Sequence, residues 1–338
     1  MDTRIDQPTR RVSDPFAALG EPERGRLRRA PLPRWIEPMA ATLTDERFDD
    51  PNWIFERKLD GVRCLAFKGP GSGVRLLSRN QLSQNDRFPE LVAALEGEGA
   101  GELALDGEIV AFEGSRTSFS RLARRGREPV AAYLYVFDLL HLDGFDTRRL
   151  PLRARKSLLA RAVRFHGPLR MTPHRNRDGR ELFRDACRKG WEGLIAKRAD
   201  SPYVGARSRD WLKFKCGNEQ ELVIGGYTAP RGSREVLGAL LLGYFERGNL
   251  RYAGKVGTGF DRATLHDLAK RLAPLRRTDS PFADEVPARG TTWVQPRLVA
   301  QIGFSEWTRD GRLRHPRFLG LREDKDARDV VREKARSR

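Results

Sequence analysis

The feature that most constrains the fold of this chain is a change of pattern at Cys216-Gly217-Asn218. Before it, apolar runs with strand-like and helix-like periods alternate; after it, short strand-like runs dominate around a single helical segment. A chain of 338 residues that changes character once reads as two domains, at ~100–200 residues each. In the first part, Trp53–Phe55, Val62–Lys68 and Val74–Ser78 are strand-like, with the polar turn Lys58-Leu59-Asp60-Gly61 between the first two. Phe88, Leu91, Val92 and Leu95 recur at helical spacing. Leu103–Phe112 reads as strand, turn, strand around Asp106-Gly107-Glu108, and Ala131–Leu140 as a buried strand. Pro151–Val163 reads as a basic amphipathic helix started by Pro151. Glu181–Lys189 is a second helix, stopped by Gly190. This is an α+β pattern.

After the break, Leu222–Tyr227, Ala239–Phe245 and Leu250–Val256 are strand-like, the last two joined by a hairpin at Arg247-Gly248-Asn249. Asp261–Leu275 is a helix capped by Asp261. Leu298–Thr308 and Arg312–Arg314 flank a turn at Arg309-Asp310-Gly311. Several strands and one helix suit a small Greek-key barrel such as an OB-fold, one option among several on periodicity alone. Residues 1–34, rich in Pro and Arg, read as a loosely ordered basic arm. The expected organisation is therefore an arm (1–34), a first domain (35–217), a barrel (218–325) and a charged tail, or frayed helix (326–338).

Charge narrows the partners. With 64 Lys and Arg against 46 Asp and Glu, the net charge is +18, and such a surface attracts polyanions, nucleic acid above all. Arg-favouring codon usage explains abundant Arg but not the excess of basic over acidic residues. No run of about 18 apolar residues is present, and the N-terminus lacks an apolar signal core, so neither a membrane span nor secretion is expected. Three widely spaced cysteines form no CxxC pair, and the five histidines form no metal-spaced group. The expectation is no disulfide framework, no zinc site and a reducing cytoplasm.

The chemistry centres on Glu56-Arg57-Lys58-Leu59-Asp60-Gly61-Val62-Arg63. Alone, this is a charged hairpin. It is followed in order by Ser78-Arg79-Asn80, Asp106-Gly107-Glu108, Tyr135-Val136-Phe137-Asp138, Glu192-Gly193-Leu194-Ile195 and Lys213-Phe214-Lys215. In sequence and separation these pieces resemble the motifs of the covalent nucleotidyltransferases, specifically the ATP-dependent DNA ligases, over about residues 36–325. The resemblance implies an adenylation domain of antiparallel sheets with flanking helices, then an OB-fold barrel.

It also implies roles. Lys58 is the nucleophile that carries AMP, with ATP as co-substrate. A protonated lysine cannot attack, so burial or positive charge must lower its pKa; Lys213, Lys215 and a bound Mg²⁺ or Mn²⁺ are expected to do so and to stabilise the transition state. Glu56 resembles the acidic residue that reads adenine, Phe137 the aromatic that stacks on it, and Arg63 and Arg79 ribose and phosphate contacts. Asp106 is expected to shape a turn, Glu108 to bind ribose or metal, and Glu192 to bind metal, carboxylate oxygens suiting either ion. Arg207, six residues before Lys213, matches an ATP-contacting arginine, with Arg209 as competitor. Asp60 orients the site or assists later steps. On the barrel, Arg322, Asp324 and Lys325 in Leu319-Gly320-Leu321-Arg322-Glu323-Asp324-Lys325 resemble the motif that orients pyrophosphate.

That motif, with Trp191–Arg198 and Gly238–Gly243, resembles most the ligase module of bacterial end-joining ligases. The length leaves no room for their polymerase or phosphoesterase modules, so a stand-alone, monomeric ligase acting on nicks or ends of duplex DNA is expected, with a DNA-end-binding protein as a candidate partner. The implied barrel faces ATP first and then turns to DNA about a hinge near residues 217–219. RNA ligases and capping enzymes share the lysine motif, and an inactive DNA-binding protein could keep the fold; Glu56 and the C-terminal motif favour ATP and DNA, and the intact nucleophile argues against inactivity.

Overall fold

The computed structural model describes residues 14–126, 128–230, 236–286 and 290–335. Three main sheets organise it. The first has seven strands, in the order Arg28–Arg29, Phe145–Asp146, Tyr133–Leu142, Leu103–Val110, Val62–Gly69 and Gly73–Ser78, with Leu169–Met171 parallel to part of Tyr133–Leu142. The second has five: His174–Arg175, Trp53–Arg57, Gly193–Arg198, Arg207–Lys215 and Ala40–Leu43, the last pair parallel and the rest antiparallel. Leu91, Leu95, Leu158 and Leu159, from the helices Pro89–Glu96 and Leu152–Ala162, join the main core cluster of the first sheet. The helix Gly179–Arg188 packs on the second through Leu182 and Ala186.

The third sheet is the OB-fold barrel. The long strand Asn218–Thr228 pairs with Leu240–Glu246, Thr291–Val294 and Val299–Phe304. Asn249–Val256 extends it at one side and Arg317–Leu321 at the other, with a core of its own. The helix Arg262–Leu272 follows Asp261, whose carboxylate accepts the Thr264 amide at 2.7 Å. The α+β architecture with a second β-barrel domain is thus as expected. Among the described residues, no helix is long and apolar enough to cross a membrane.

Five expectations change. Leu103–Val110 is one continuous strand with a bulge in its pairing between Asp106 and Gly107, not a strand–turn–strand. The basic helix Leu152–Ala162 is not simply solvated on its charged side, because Arg155 and Lys156 are buried. Residues 14–34 do not form a loose arm: Phe16 and Leu19 pack into the first core, and Arg28–Arg29 pairs with Phe145–Asp146; residues 1–13 lie outside the described residues. The tail does not fray over 326–335. After the turn Ala327–Asp329, Val330 enters the barrel core and its carbonyl accepts the Phe245 amide at 2.7 Å. Finally, Cys187 and Cys216 form a disulfide, because the helix Gly179–Arg188 and the end of Arg207–Lys215 bring their Cα atoms to 5.2 Å; Cys64 is free and buried.

Candidate active site

Trp53–Arg57 belongs to the second sheet and Val62–Gly69 to the first, so the turn between them crosses from sheet to sheet. That crossing sets Lys58 in the groove. The Lys58 amide donates to the Gly193 carbonyl at 2.9 Å. A Cβ on Gly61 would lie 2.1 Å from the Ile109 carbonyl oxygen, so only glycine allows so close a passage. Asp60 is tied down too, its carboxylate accepting the Phe119 amide at 2.9 Å.

The Lys58 ammonium pairs with Glu192. Burial alone would lower its pKa, but the pair with Glu192, reinforced by Asp60 and Glu108, outweighs burial and holds it raised. The expected depression by Lys213 and Lys215 is not found, because those ammonium groups turn to Glu333: Lys213 pairs with one carboxylate oxygen and Lys215 with the other, at 2.8 Å. Burial brings Lys213 down to about 8 despite Glu333. Glu333, although burial pushes it up, is held at about 2 by the two lysines.

Three carboxylates, those of Glu192, Asp60 and Glu108, act on Lys58. Burial, with Glu192 nearby, lifts Asp60 to about 7, and burial lifts Glu108 to about 7 against the pull of Arg63, Arg322 and Lys58. Asp106 has a different role from the expected turn former. It is fully buried, takes a bidentate ion pair from Arg63 at 2.5 Å and accepts the Tyr203 hydroxyl at 2.7 Å. Arg63 is therefore anchored, with its guanidinium carbon 4.7 Å from the Phe137 ring centre.

At the far end Glu56 is buried between Lys156 and Lys197, which hold its carboxylate ionised against the cost of burial. The Lys197 ammonium also sits 4.0 Å from the ring centres of Phe137 and Trp211. On the barrel side, Arg322 forms a bidentate pair with Asp324 at 2.8 and 2.9 Å, and Lys325 pairs with Glu221 at 3.3 Å.

One cavity between the sheets and the barrel gathers Glu56, Lys58, Asp60, Arg63, Arg79, Glu108, Phe137, Glu192, Arg207, Lys213, Lys215, Arg322, Asp324 and Lys325. Arg209 is not among its lining residues. Motif pieces spread over most of the chain thus meet in one place. Sequence reasoning missed Lys156, Lys197, Trp211, Glu219, Glu221 and Glu333. Lys197 stands inside the motif Trp191–Arg198 and Trp211 two residues before Lys213, and that neighbourhood was the available signal; nothing in the tail marks Glu333. Among the described residues no group of three or more His, Cys, Asp or Glu side chains could hold a metal ion by itself. Glu108 and Glu192 facing one cavity fit an ion that shares its ligands with substrate phosphates, the usual habit of Mg²⁺.

Comparison with known proteins gives a consistent result. Residues 38–215 match the family model described as ATP dependent DNA ligase domain, and residues 233–325 the one described as ATP dependent DNA ligase C terminal region. The chain is 42% identical over 318 residues to the multifunctional non-homologous end joining protein LigD of Pseudomonas aeruginosa, across 90% of this chain and 38% of that protein. It is 41% identical over 308 residues to its namesake from Mycobacterium bovis, across 88% of this chain and 40% of that protein. The chain thus spans well under half the length of these curated relatives. A solved structure described as mycobacterial DNA ligase D complexed with ATP and MES is 39% identical and superposes with a TM-score of 0.65, covering 88% of this chain and 98% of that one.

Proposed function

The chain belongs to the ATP-dependent DNA ligase family, and on that premise we propose that it seals 5′-phosphate/3′-hydroxyl breaks in duplex DNA through AMP carried on Lys58. The observation that carries the assignment of the nucleophile is its setting. Lys58 faces Glu192 in a cavity that has two lysines on one side and a buried carboxylate with an aromatic ring on the other.

ATP is the co-substrate. Phe137 and Glu56 take the face and edge of adenine, Arg63 and Glu108 border the ribose, and Arg79, Arg207, Lys213, Lys215 and Arg322 supply positive charge along the phosphates. In the first step Lys58 loses its proton, its nitrogen bonds to the α-phosphorus, and the bond to the β-phosphate oxygen breaks to release pyrophosphate. The ammonium must first leave Glu192, so the raised pKa of the resting state marks a closed pair that substrate binding has to open. Glu108 and Glu192 would hold Mg²⁺ or Mn²⁺, which would supply positive charge against that building on the phosphate, and a Glu192 carboxylate engaged there would no longer hold the Lys58 ammonium. In the second step a DNA 5′-phosphate oxygen attacks the AMP phosphorus and Lys58 leaves. In the third, the 3′-hydroxyl attacks the activated 5′-phosphate, AMP departs and the backbone is closed. Asp60, near neutrality in its protonation, is placed to take up or return a proton in these steps.

A division between residues 217 and 218 is supported by the change from the first two sheets to the barrel, with residues 14–34 joining the first domain and 326–335 the barrel, and the proposed hinge lies at residues 217–219. The excess of basic residues supports duplex DNA as the substrate. Similarity to end-joining proteins supports DNA repair by end joining; a DNA-end-binding protein is the partner proposed for it. Action as a monomer is part of the same proposal.

The test is incubation with α-phosphate-labelled ATP and Mg²⁺ or Mn²⁺, comparing wild type with Lys58→Ala, followed by a nicked duplex. Covalent label in wild type alone, then sealing, is expected. Equal label in Lys58→Ala refutes the nucleophile, and label without sealing refutes the DNA acceptor.

A further inference from the structure

Two lysines reach the Glu56 carboxylate, and they come from different places. Lys197 lies on Gly193–Arg198, the strand next to Trp53–Arg57, and lines the cavity. Lys156 lies on the helix Leu152–Ala162, one layer behind, and is not among the lining residues. It is 3% exposed and Glu56 2%.

A buried ammonium is costly unless its partners are good. Along this helix Leu152, Leu158 and Leu159 fill apolar core, so a lysine at position 156 needs a reason. Its Nζ has two partners. It pairs with Oε1 of Glu56, on the second sheet, and donates to the main-chain carbonyl of Phe137, on the first, at 3.2 Å. These belong to the residues assigned above to the edge and the face of adenine. One ammonium therefore spans the gap between the sheets and fixes the two halves of a base site relative to each other. Arg155, beside it, anchors the same strand by a bidentate pair with Asp138 at 2.6 and 2.9 Å, both side chains fully buried.

We propose that Lys156 is a positioning residue for purine specificity: it holds the Glu56 carboxylate in register with Phe137, so that a free Glu56 lone pair accepts a hydrogen bond from the exocyclic amino group of adenine. This rests on the reading of Glu56 and Phe137 as base contacts. An ionised carboxylate offers about four acceptor directions, and two lysines leave others free. It accepts and does not donate, so it favours a purine with a 6-amino group over one with hydrogen or oxygen there. Lys156 touches no nucleotide in this scheme. Its influence passes through Glu56 and the Phe137 backbone alone.

The experiment measures kcat/KM for nucleotidyl transfer to Lys58 with ATP and with purine riboside triphosphate, which lacks the 6-amino group. Wild type, Lys156→Met, Lys156→Arg, Glu56→Gln and the double variant Glu56→Gln/Lys156→Met are compared. The wild type is expected to prefer ATP. In Lys156→Met that preference falls by ~10-fold or more, the scale of one hydrogen bond to a charged group, through KM for ATP and not kcat. Transfer from purine riboside triphosphate stays nearly unchanged, Lys156→Arg keeps part of the preference, and the double variant is no worse than the poorer single one. Equal loss with both nucleotides, or an unchanged preference in Lys156→Met while Glu56→Gln abolishes it, overturns the role of Lys156. An unchanged preference in Glu56→Gln overturns the base-contact reading beneath it. Should Lys156→Met fail to fold, Lys156→Gln, which removes the charge and shortens the side chain by one atom but keeps a donor, carries the same comparison: a smaller fall in the ATP preference is expected, and an unchanged preference overturns the role of Lys156.

Discussion

Replacing Glu333 by Gln tests whether the tail competes with ATP. The Glu333 carboxylate joins the ammonium groups of Lys213 and Lys215 where triphosphate charge is proposed to lie. Its pKa is lowered from 4.5 to about 2, which converts to roughly 3 kcal/mol of favourable interaction. The side chain is 20% exposed, and water recovers part of that, so about 2 kcal/mol is expected to be lost from the ATP-free protein in Glu333→Gln. The depressed value means that this contribution is present above pH 4.5 and disappears as pH falls through about 2. If ATP displaces the carboxylate, the ATP-bound state has already lost the pair and the substitution costs it nothing. The thermodynamic cycle then returns the loss as ATP affinity, ~30-fold tighter for about 2 kcal/mol. The assay is calorimetric titration of Mg²⁺–ATP into Lys58→Ala, which blocks turnover, with and without Glu333→Gln, alongside denaturant unfolding of both. Lower stability without ATP and tighter ATP binding are expected together. Unchanged or weaker ATP binding in Glu333→Gln would show that the carboxylate is not displaced and refute the reasoning.

Three further outcomes follow from particular contacts. Glu108 sits near 7 in the folded protein against an ordinary 4.5, so the folded state keeps a proton that the unfolded chain has lost, and stability falls as pH rises between these values. Glu108→Gln should flatten that slope by about 1–2 kcal/mol, less than the shift alone converts to because solvent reaches part of the side chain; unfolding of both proteins at pH 4.5 and pH 8 decides it, and parallel curves would contradict it. The Cys187–Cys216 bond closes a separation of 29 residues, worth about 3–4 kcal/mol by loop entropy. Reductant should lower the unfolding midpoint of wild type but not of Cys187→Ser, and thiol titration of the unfolded, unreduced protein should find Cys64 alone; three reactive thiols would exclude the bond. Gly193 has φ +148° and a Cβ there would lie 1.8 Å from the Phe214 carbonyl oxygen, so Gly193→Ala should cost on the order of 3 kcal/mol. Because Glu192 is adjacent, labelling of Lys58 should fall with it, and a wild-type melting temperature would count against this account.

The sequence by itself determined which side chains are proposed to carry the chemistry and the classes of fold that hold them. Lys58, Asp60 and Gly61 form a turn for local reasons, a polar run between two strand-forming runs, and the helix Arg262–Leu272 begins where Asp261 can cap it. Strand and helix periods, written in neighbouring residues, were enough to expect a mixed first domain and a mainly β second one, and the family resemblance carried by the ordered motifs implied an adenylation domain followed by a barrel. Tertiary structure alone decided who pairs with whom. Lys58 and Glu192 are 134 residues apart, and Lys213 and Glu333 are 120. Asp106 lies in a continuous strand because its neighbours are Arg63 and Tyr203, not because its own sequence demands it. Lys156 has the sequence context of a solvated helical lysine and becomes buried only when the helix meets Glu56 and Phe137. The physical reason is range. Backbone preference is set over a few residues, whereas the partner of a charge, and hence its protonation, is set by packing that brings distant segments together.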